Sequence, residues 1–201
     1  FQVNTPQADK LVQLALDGLE LDEDCVAADL FCGVGTFTIP LAKRCGGVYA
    51  VESYGSSVRN LRHTVEQENV DVEVIGGDAT RELPELGELD ALIVDPPRSG
   101  LAKEIIGSIA EAAPLRVAYV SCDPATWARD VKLLEAAGFE LLQATPVDMF
   151  PQTFHVETVA ILTREKSVKS YAYVNISPSE LGMGGKVKKP TYKQIQEYVL
   201  K

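Results

Sequence analysis

The feature that most limits what this sequence can fold into is a regular alternation of two hydrophobic periods. Short β-branched, apolar runs occur at 26–30 (VAADL), 47–52 (GVYAVE), 72–76 (VEVIG), 89–94 (LDALIV), 116–121 (RVAYVS), 139–144 (FELLQA) and 156–163 (VETVAILT). Helix-period stretches lie at 6–19, 36–44, 55–69, 102–113 and 124–137. Strands alternating with helices of this length build βαβ units, so an α/β fold around a mostly parallel, seven-stranded sheet is expected. Only the loop PVDMFPQTFH, at 146–155, separates the last two runs. A connection without a helix suits an antiparallel pair, placed at one end of the sheet. After Arg164 the pattern stops. Residues 165–190 are polar and rich in glycine and proline, as a linker is, and 191–200 could form one short helix that cannot build a core alone. The expected organisation is one domain over 1–165, followed by a basic linker and C-terminal extension over 166–201.

Composition removes several other classes. With 46% hydrophobic and 24% charged residues the chain is neither disordered nor fibrous. No apolar run approaches the ~18 residues needed to cross a bilayer, so no membrane role is expected. Cys25, Cys32, Cys45 and Cys122 show no CxxC spacing, which argues against a metal knuckle and for a reduced, cytoplasmic setting. The first residue is Phe1, and the chain reads as a piece of something longer. Charge is divided unevenly: residues 1–165 carry 12 Lys and Arg against 27 Asp and Glu, a balance of −15, while 166–201 carry +5. An acidic block of that size opposes binding to phosphates, so any nucleic-acid role needs contacts from elsewhere.

Four segments can carry chemistry. In DLFCGVGTF (29–37) a strand ends, Gly33 and Gly35 form a turn, and a helix begins near Thr36. Such a turn lets a ligand approach the backbone at the carboxyl edge of a sheet. The third glycine of a dinucleotide fingerprint is missing. Glu52 ends the second strand, 19 residues after Gly33, where it could accept bonds from ribose hydroxyls, and Asp78 in GGDA falls on the same edge. This set suits a nucleoside cofactor without a large anionic phosphate, such as S-adenosylmethionine. A plain strand–helix turn with capping acids would look similar. In DPPRSG (95–100) two prolines stiffen a loop able to hold Asp95 at the sheet edge. Arg98 stands where amino-group methyltransferases place an aromatic residue, which weighs against an exocyclic nitrogen as methyl acceptor. In YVSCDPATWARD (119–130) Cys122 lies at a strand tip just before an Asp-Pro helix start, where the helix dipole favours thiolate. In FPQTFHVET (150–158) Glu157 enters an apolar strand, a setting for a carboxylate of raised pKa able to take a proton. His155 reads as a hydrogen-bonded loop residue, and no metal site emerges.

These motifs in this order, with FQVN at 1–4, resemble the catalytic domain of the RNA uracil-5-methyltransferase family, and its 23S ribosomal RNA branch more than its tRNA branch. The resemblance covers residues 1 to about 165. It implies a Rossmann-like, S-adenosylmethionine-dependent methyltransferase fold with one antiparallel strand. It also implies that Gln2, Phe31, Thr36, Glu52, Asp78 and Asp95 line the cofactor pocket, beside the glycine turn of Gly33 and Gly35. Cys122 would be the nucleophile and Glu157 the base. Full-length relatives carry an N-terminal RNA-binding β-barrel and a small insert, sometimes with an iron–sulfur cluster, and that RNA-binding domain is expected to be absent from this chain. Two positions depart from the pattern: Asp123 where relatives have Asn, and Trp127 where they have an aliphatic residue. The carboxylate at 123 should oppose the helix dipole beside the thiol.

The expected activity is methylation of uridine C5 in 23S rRNA, by a monomer. A tRNA uridine or RNA cytosine C5 is the alternative within enzymes. A catalytically silent S-adenosylmethionine-binding module is the alternative outside them.

Overall fold

The structure, a computed structural model, describes residues 5–149 and 156–164. Gln2 and the rest of FQVN, His155 in the 150–155 segment, and the expected linker and terminal helix therefore lie outside the described residues. The chain divides into two units, Phe1–Lys166 and Ser167–Lys201, and every element below belongs to the first.

The apolar runs become strands: β1 Val26–Leu30, β2 Gly47–Glu52, β3 Glu73–Gly76, β4 Ala91–Val94, β5 Arg116–Ser121, β6 Glu140–Val147 and β7 Glu157–Thr163. β4 and β5 are buried at every position, the pattern of strands covered on both faces. The seven form one sheet in the order β3-β2-β1-β4-β5-β7-β6. β1 to β5 are mutually parallel, and β7 runs antiparallel to both of its neighbours, β5 and β6. The seven-stranded, mostly parallel α/β fold is thus as expected.

Helices cover both faces of the sheet. On one lie α1 Thr5–Gly18, α2 Thr38–Ala42 and α3 Gly55–Glu68. Leu11, Leu16, Phe37 and Leu41 from the first two pack there on Ala27, Ile93, Ala118 and Ile161. On the other lie α4 Ala79–Glu82, α5 Lys103–Ala112 and α6 Pro124–Ala136. From that side Ala79, Ile105, Ile109, Val131 and Leu134 pack on Ala28, Leu92, Tyr119 and Leu162. Alternate strand residues face opposite layers, as the two-residue period requires.

Three local features differ from the sequence pattern. α2 starts at Thr38 rather than near Thr36, with Phe37 at its cap. Between β3 and β4 the chain adds α4 and a 3-10 turn at Leu83–Glu85, elements too short to show a helical period. β6 extends to Val147, through Pro146 and a register shift between Leu141 and Gln143. As the outermost strand it tolerates both the proline and the irregularity. No described helix is long and apolar enough to cross a membrane.

Leu92 is fully buried at the centre of the sheet. Leu92→Ala should cost ~2–5 kcal/mol, the range for leaving a cavity at a rigid core position. Urea denaturation reads this directly, and a loss below 1 kcal/mol would mean that the α5–α6 layer collapses into the gap.

Candidate active site

Strand order reverses between β1 and β4, and the crevice at such a reversal lies at the carboxyl ends of the strands. The polar residues gather there. After Leu30 the chain turns through Phe31 (φ 62°), Gly33 (φ 57°) and Gly35 (φ 96°). A left-handed conformation is unusual for an aromatic residue, and Phe31 holds it beside two glycines. The two glycines differ in what they serve. A Cβ on Gly33 would meet nothing within 4 Å, so that side of the turn is open. A Cβ on Gly35 would lie 2.5 Å from Leu61 Cδ1, so Gly35 is there for packing of α3.

Glu52, nearly buried at 7% exposure, ties this turn to β2. Its Oε2 accepts from the Gly33 N–H at 2.9 Å, and its Oε1 accepts from the Tyr54 N–H at 2.7 Å. Oε1 also accepts from the Ser53 hydroxyl at 3.4 Å, and Oε2 keeps a lone pair for a further donor. Asp78 is exposed and caps α4, with Oδ1 accepting from the Thr80 N–H at 2.9 Å. Its place on the shared edge follows from the backbone: Gly76 pairs with Glu52, and the Gly77 N–H donates to the Glu52 carbonyl at 3.0 Å. Thr36 is half-buried in the turn ahead of α2.

The adjacent threonine that does make a bond is Thr38, whose hydroxyl donates to Asp29 Oδ2 at 2.6 Å. Asp29 is fully buried in β1, and its Oδ1 has no hydrogen-bond partner among the described residues. Burial, with Asp95 and Glu52 as charged neighbours, pushes its carboxyl up to about 7. Sequence reasoning passed over Asp29. The available signal was a carboxylate inside an otherwise apolar strand, VAADL, since such a group is seldom buried without a reason. Asp95, just past β4, donates its N–H to the Leu30 carbonyl at 3.4 Å. Its carboxyl is likewise pushed up to about 7, by burial and then by Glu157.

Cys122 and Glu157 stand across the β5–β7 ladder. Ser121 pairs with Thr158, and one step further along the antiparallel register brings Cys122 opposite Glu157. Glu157 is 9% exposed on a strand held between two others, not on a sheet edge. Burial raises its pKa, and the Arg98 guanidinium opposes that rise. The thiol also lies above its ordinary value, through burial and then the Glu157 charge, whereas hydrogen bonding and charge from Arg98 pull it down. The helix-dipole argument for a resting thiolate is therefore outweighed by desolvation. Asp123 is the N-cap of α6, accepting from the Ala125 and Thr126 N–H groups at 3.0 and 2.9 Å, and these bonds keep its own pKa low. Arg98 acts on Cys122, Asp123 and Glu157 alike. Its place after two stiffening prolines is the one local signal for that role.

The four carboxyls Asp29, Glu52, Asp95 and Glu157 make this edge suited to a cationic ligand rather than a phosphate. Two grooves, of about 360 and 340 Å³, open at the opposite edge of the sheet around Glu20 and Arg116, and one of about 360 Å³ lies between residues 99–103 and Arg129. No group of three or more metal-ligating side chains occurs among the described residues.

A doubly wound sheet with this strand order, an inserted antiparallel β7 and a glycine turn at the reversal has the fold of Rossmann-like, S-adenosylmethionine-dependent methyltransferases. Comparison with known proteins narrows the class. The family described as methyltransferase small domain matches residues 5–116, and the one described as tRNA (uracil-5-)-methyltransferase matches residues 85–165. An uncharacterised RNA methyltransferase of Clostridium tetani is 40% identical over 168 residues, 81% of this chain and 36% of that protein. One of Gloeobacter violaceus is 41% identical over 165 residues, 82% of this chain and 36% of the relative. Among solved structures, the tRNA (uracil-54, C5)-methyltransferase of Pyrococcus abyssi, in complex with S-adenosyl-L-homocysteine, aligns with TM-score 0.72 and 37% identity, over 81% of this chain and 40% of that one. The precorrin-6Y C5,15-methyltransferase of Geobacter metallireducens shares the fold, with TM-score 0.66 at 16% identity, over 76% of this chain and 86% of its own. The chain belongs to the methyltransferase small domain family, and over residues 85–165 it is similar to the tRNA (uracil-5-)-methyltransferase family. It spans little more than a third of the length of the curated relatives it matches.

The buried acids give a pH dependence whose sign follows from linkage. Asp29 titrates near its ordinary value of 3.8 when unfolded and at about 7 when folded, so the folded state binds the extra proton in that window. Its contribution to stability is therefore lost as pH rises from about 4 to about 7. Asp29→Asn keeps the shape and an acceptor for Thr38 but removes the charge. It should be more stable than the wild type at pH 8 by ~1–4 kcal/mol, with the gain absent at pH 4. Urea titrations at the two pH values test this. A gain independent of pH would mean that Asp29 ionises normally in the fold.

Proposed function

We propose that this protein transfers a methyl group from S-adenosylmethionine to C5 of a uridine in RNA, with Cys122 as nucleophile and Glu157 as base. The observation that carries the reading is the apposition of Cys122 and Glu157 across β5 and β7, with Arg98 acting on both.

The residues present fit the methyl donor. Glu52 would take a ribose hydroxyl through its remaining lone pair, and the open side of Gly33 would admit the nucleoside against the backbone. Asp29, with its orphaned oxygen, and Asp95 would face the cationic end. Gln2, Phe31, Thr36 and Asp78 are assigned to the same pocket on family resemblance. S-adenosylmethionine supplies, when bound, a methyl group on a positively charged sulfur.

Uridine C5 is too weak a nucleophile to take that methyl unaided. Cys122 loses its proton and its sulfur bonds to C6, which pushes electron density through the ring to C5. Arg98 favours the thiolate needed here, against burial and the Glu157 charge. After C5 is methylated, Glu157 removes the C5 proton, and the electrons of that bond expel the Cys122 sulfur. Ring and enzyme are both restored. Splitting the reaction in this way replaces one difficult step with easier ones. A uridine must be flipped from its RNA to reach such a site. The acidic charge of residues 1–165 implies that most phosphate contacts come from other parts of the full-length protein, helped by the basic 166–201 segment.

For the RNA itself we propose 23S rRNA, from the motif set. A second reading, a tRNA uridine, is favoured by the tRNA specificity named for the Pyrococcus abyssi neighbour and for the family matching residues 85–165. Mapping the modified nucleotide after incubation of the full-length protein with each RNA separates them.

Glu52→Ala should weaken S-adenosylmethionine binding by ~1–3 kcal/mol through lost charge-assisted hydrogen bonds. Calorimetry at wild-type affinity would remove Glu52 from the site.

The two reacting residues act at different stages and should fail differently. With Cys122→Ala neither adduct nor methylated RNA should form. Glu157→Gln still permits addition and methylation but leaves the C5 proton in place. RNA should then stay joined to Cys122 in a complex that survives denaturation, because a general base is typically worth ~10²–10⁴ in rate. Normal turnover by Glu157→Gln would assign the proton to another group, and trapping by Cys122→Ala would refute the nucleophile.

A further inference from the structure

We infer that Asp130 is a positioning residue that locks the Asp95–Gly100 loop onto the first turns of α6 and so fixes Arg98 beside Cys122. The inference takes the role of the thiol from the reading above, but the way the thiol is held does not depend on the substrate.

The loop has little packing of its own, since Pro97, Arg98 and Ser99 are exposed. What fastens it is polar, and it comes from α6. Thr126 Oγ1 donates to the Arg98 carbonyl at 3.2 Å. Arg129 Nη2 donates to the carbonyls of Ser99 at 2.9 Å and Leu101 at 3.3 Å. Asp130 Oδ2 accepts from the Leu101 N–H at 2.7 Å. Two carbonyls of the loop, and both backbone groups of Leu101 just after it, are thus held by the helix that begins two residues after Cys122.

Asp130 is the hub of this set. It is fully buried, and three donors converge on it: the Leu101 N–H, the Tyr119 hydroxyl at 2.9 Å and Arg129 Nε at 2.8 Å. Tyr119 belongs to β5, the strand whose tip carries Cys122, so one carboxylate joins strand, helix and loop. At Gly100 the fit is close. Gly100 sits at φ 75°, and a Cβ there would run into Asp130 Oδ2 and lie 2.6 Å from Arg129 Nη2. A buried ion pair adds little net stability over an apolar filling, but a satisfied network fixes geometry. Here the geometry fixed is that of Arg98, the group opposing the effects of Glu157 and burial on the thiol. Asp123, beside Cys122, is the other charge that would act on it if Arg98 withdrew.

The test reads the thiol and requires no methylation. Iodoacetamide alkylation of Cys122 in the full chain is followed by peptide mass spectrometry between pH 6 and 10, since the thiolate is the reactive form. Arg98→Met should shift the midpoint of the profile upward by about half to one pH unit, which slows alkylation at pH 7.5 about three- to tenfold. Asp130→Asn should shift it in the same direction, and the double variant should go little beyond Arg98→Met alone, because both act through one group. A folded Asp130→Asn with an unmoved profile, or effects that simply add, would overturn the inference. If Asp130→Asn does not fold, Arg129→Met, at a half-exposed side chain, opens the same clamp by freeing the Ser99 and Leu101 carbonyls. A shifted profile then supports the clamp, and an unmoved one overturns it. A failure to find methylated uridine would count against the proposed reaction and leave this result standing.

Discussion

Parallel strands end on the same side of a sheet, and in this protein that geometry gathers the polar chemistry in one place. β1, β2, β4 and β5 are buried along most of their length, so their interiors admit almost nothing charged. At their carboxyl ends the backbone leaves the two helical layers. Asp29, Glu52, Asp95 and Cys122 all lie within one residue of such an end, and the reversal of strand order between β1 and β4 opens the space between them. Glu157 joins them by a different route, because β7 runs the other way and presents its first residue to that edge. Fold and chemistry are connected through strand direction.

The collected carboxyls oppose one another. Asp29 and Asp95 each feel burial and a neighbouring acid, and Glu157 raises both Asp95 and Cys122. A site so loaded with negative charge is poorly matched to a phosphate and well matched to a positively charged small molecule. Arg98 is the counterweight, on a proline-stiffened loop rather than on the sheet. Placing the cation on a separate element allows its position to be set by bonds to α6 without disturbing the strands.

Much of this was legible in sequence, and the exceptions have physical causes. β1, β2 and β5 match their apolar runs residue for residue, because strands buried on both faces carry an uninterrupted signal. The Asp123-Pro124 helix start also declared itself, since cap and first-turn proline are local chemistry. α4 and its 3-10 turn did not, each spanning about a single turn. Asp29 was hidden because a single acid in VAADL does not break an apolar average, although its burial is the most informative fact about that strand. Asp130 was hidden for another reason. Its partners, Leu101 and Tyr119, are far apart in sequence, and nothing local in ARD tells a helix-surface aspartate from the centre of a network.

The position of β7 has a consequence for the order of events at synthesis. The last described strand is also an interior one, inserted between β5 and β6. A chain emerging from the ribosome can assemble the glycine turn and the strands up to β5 before β7 exists. At that stage it has a ligand edge and a cysteine but no carboxylate opposite it. Cys122 and Glu157 come to face each other only when this strand takes its place between β5 and β6. The proposed base is thus the last part of the site to be built.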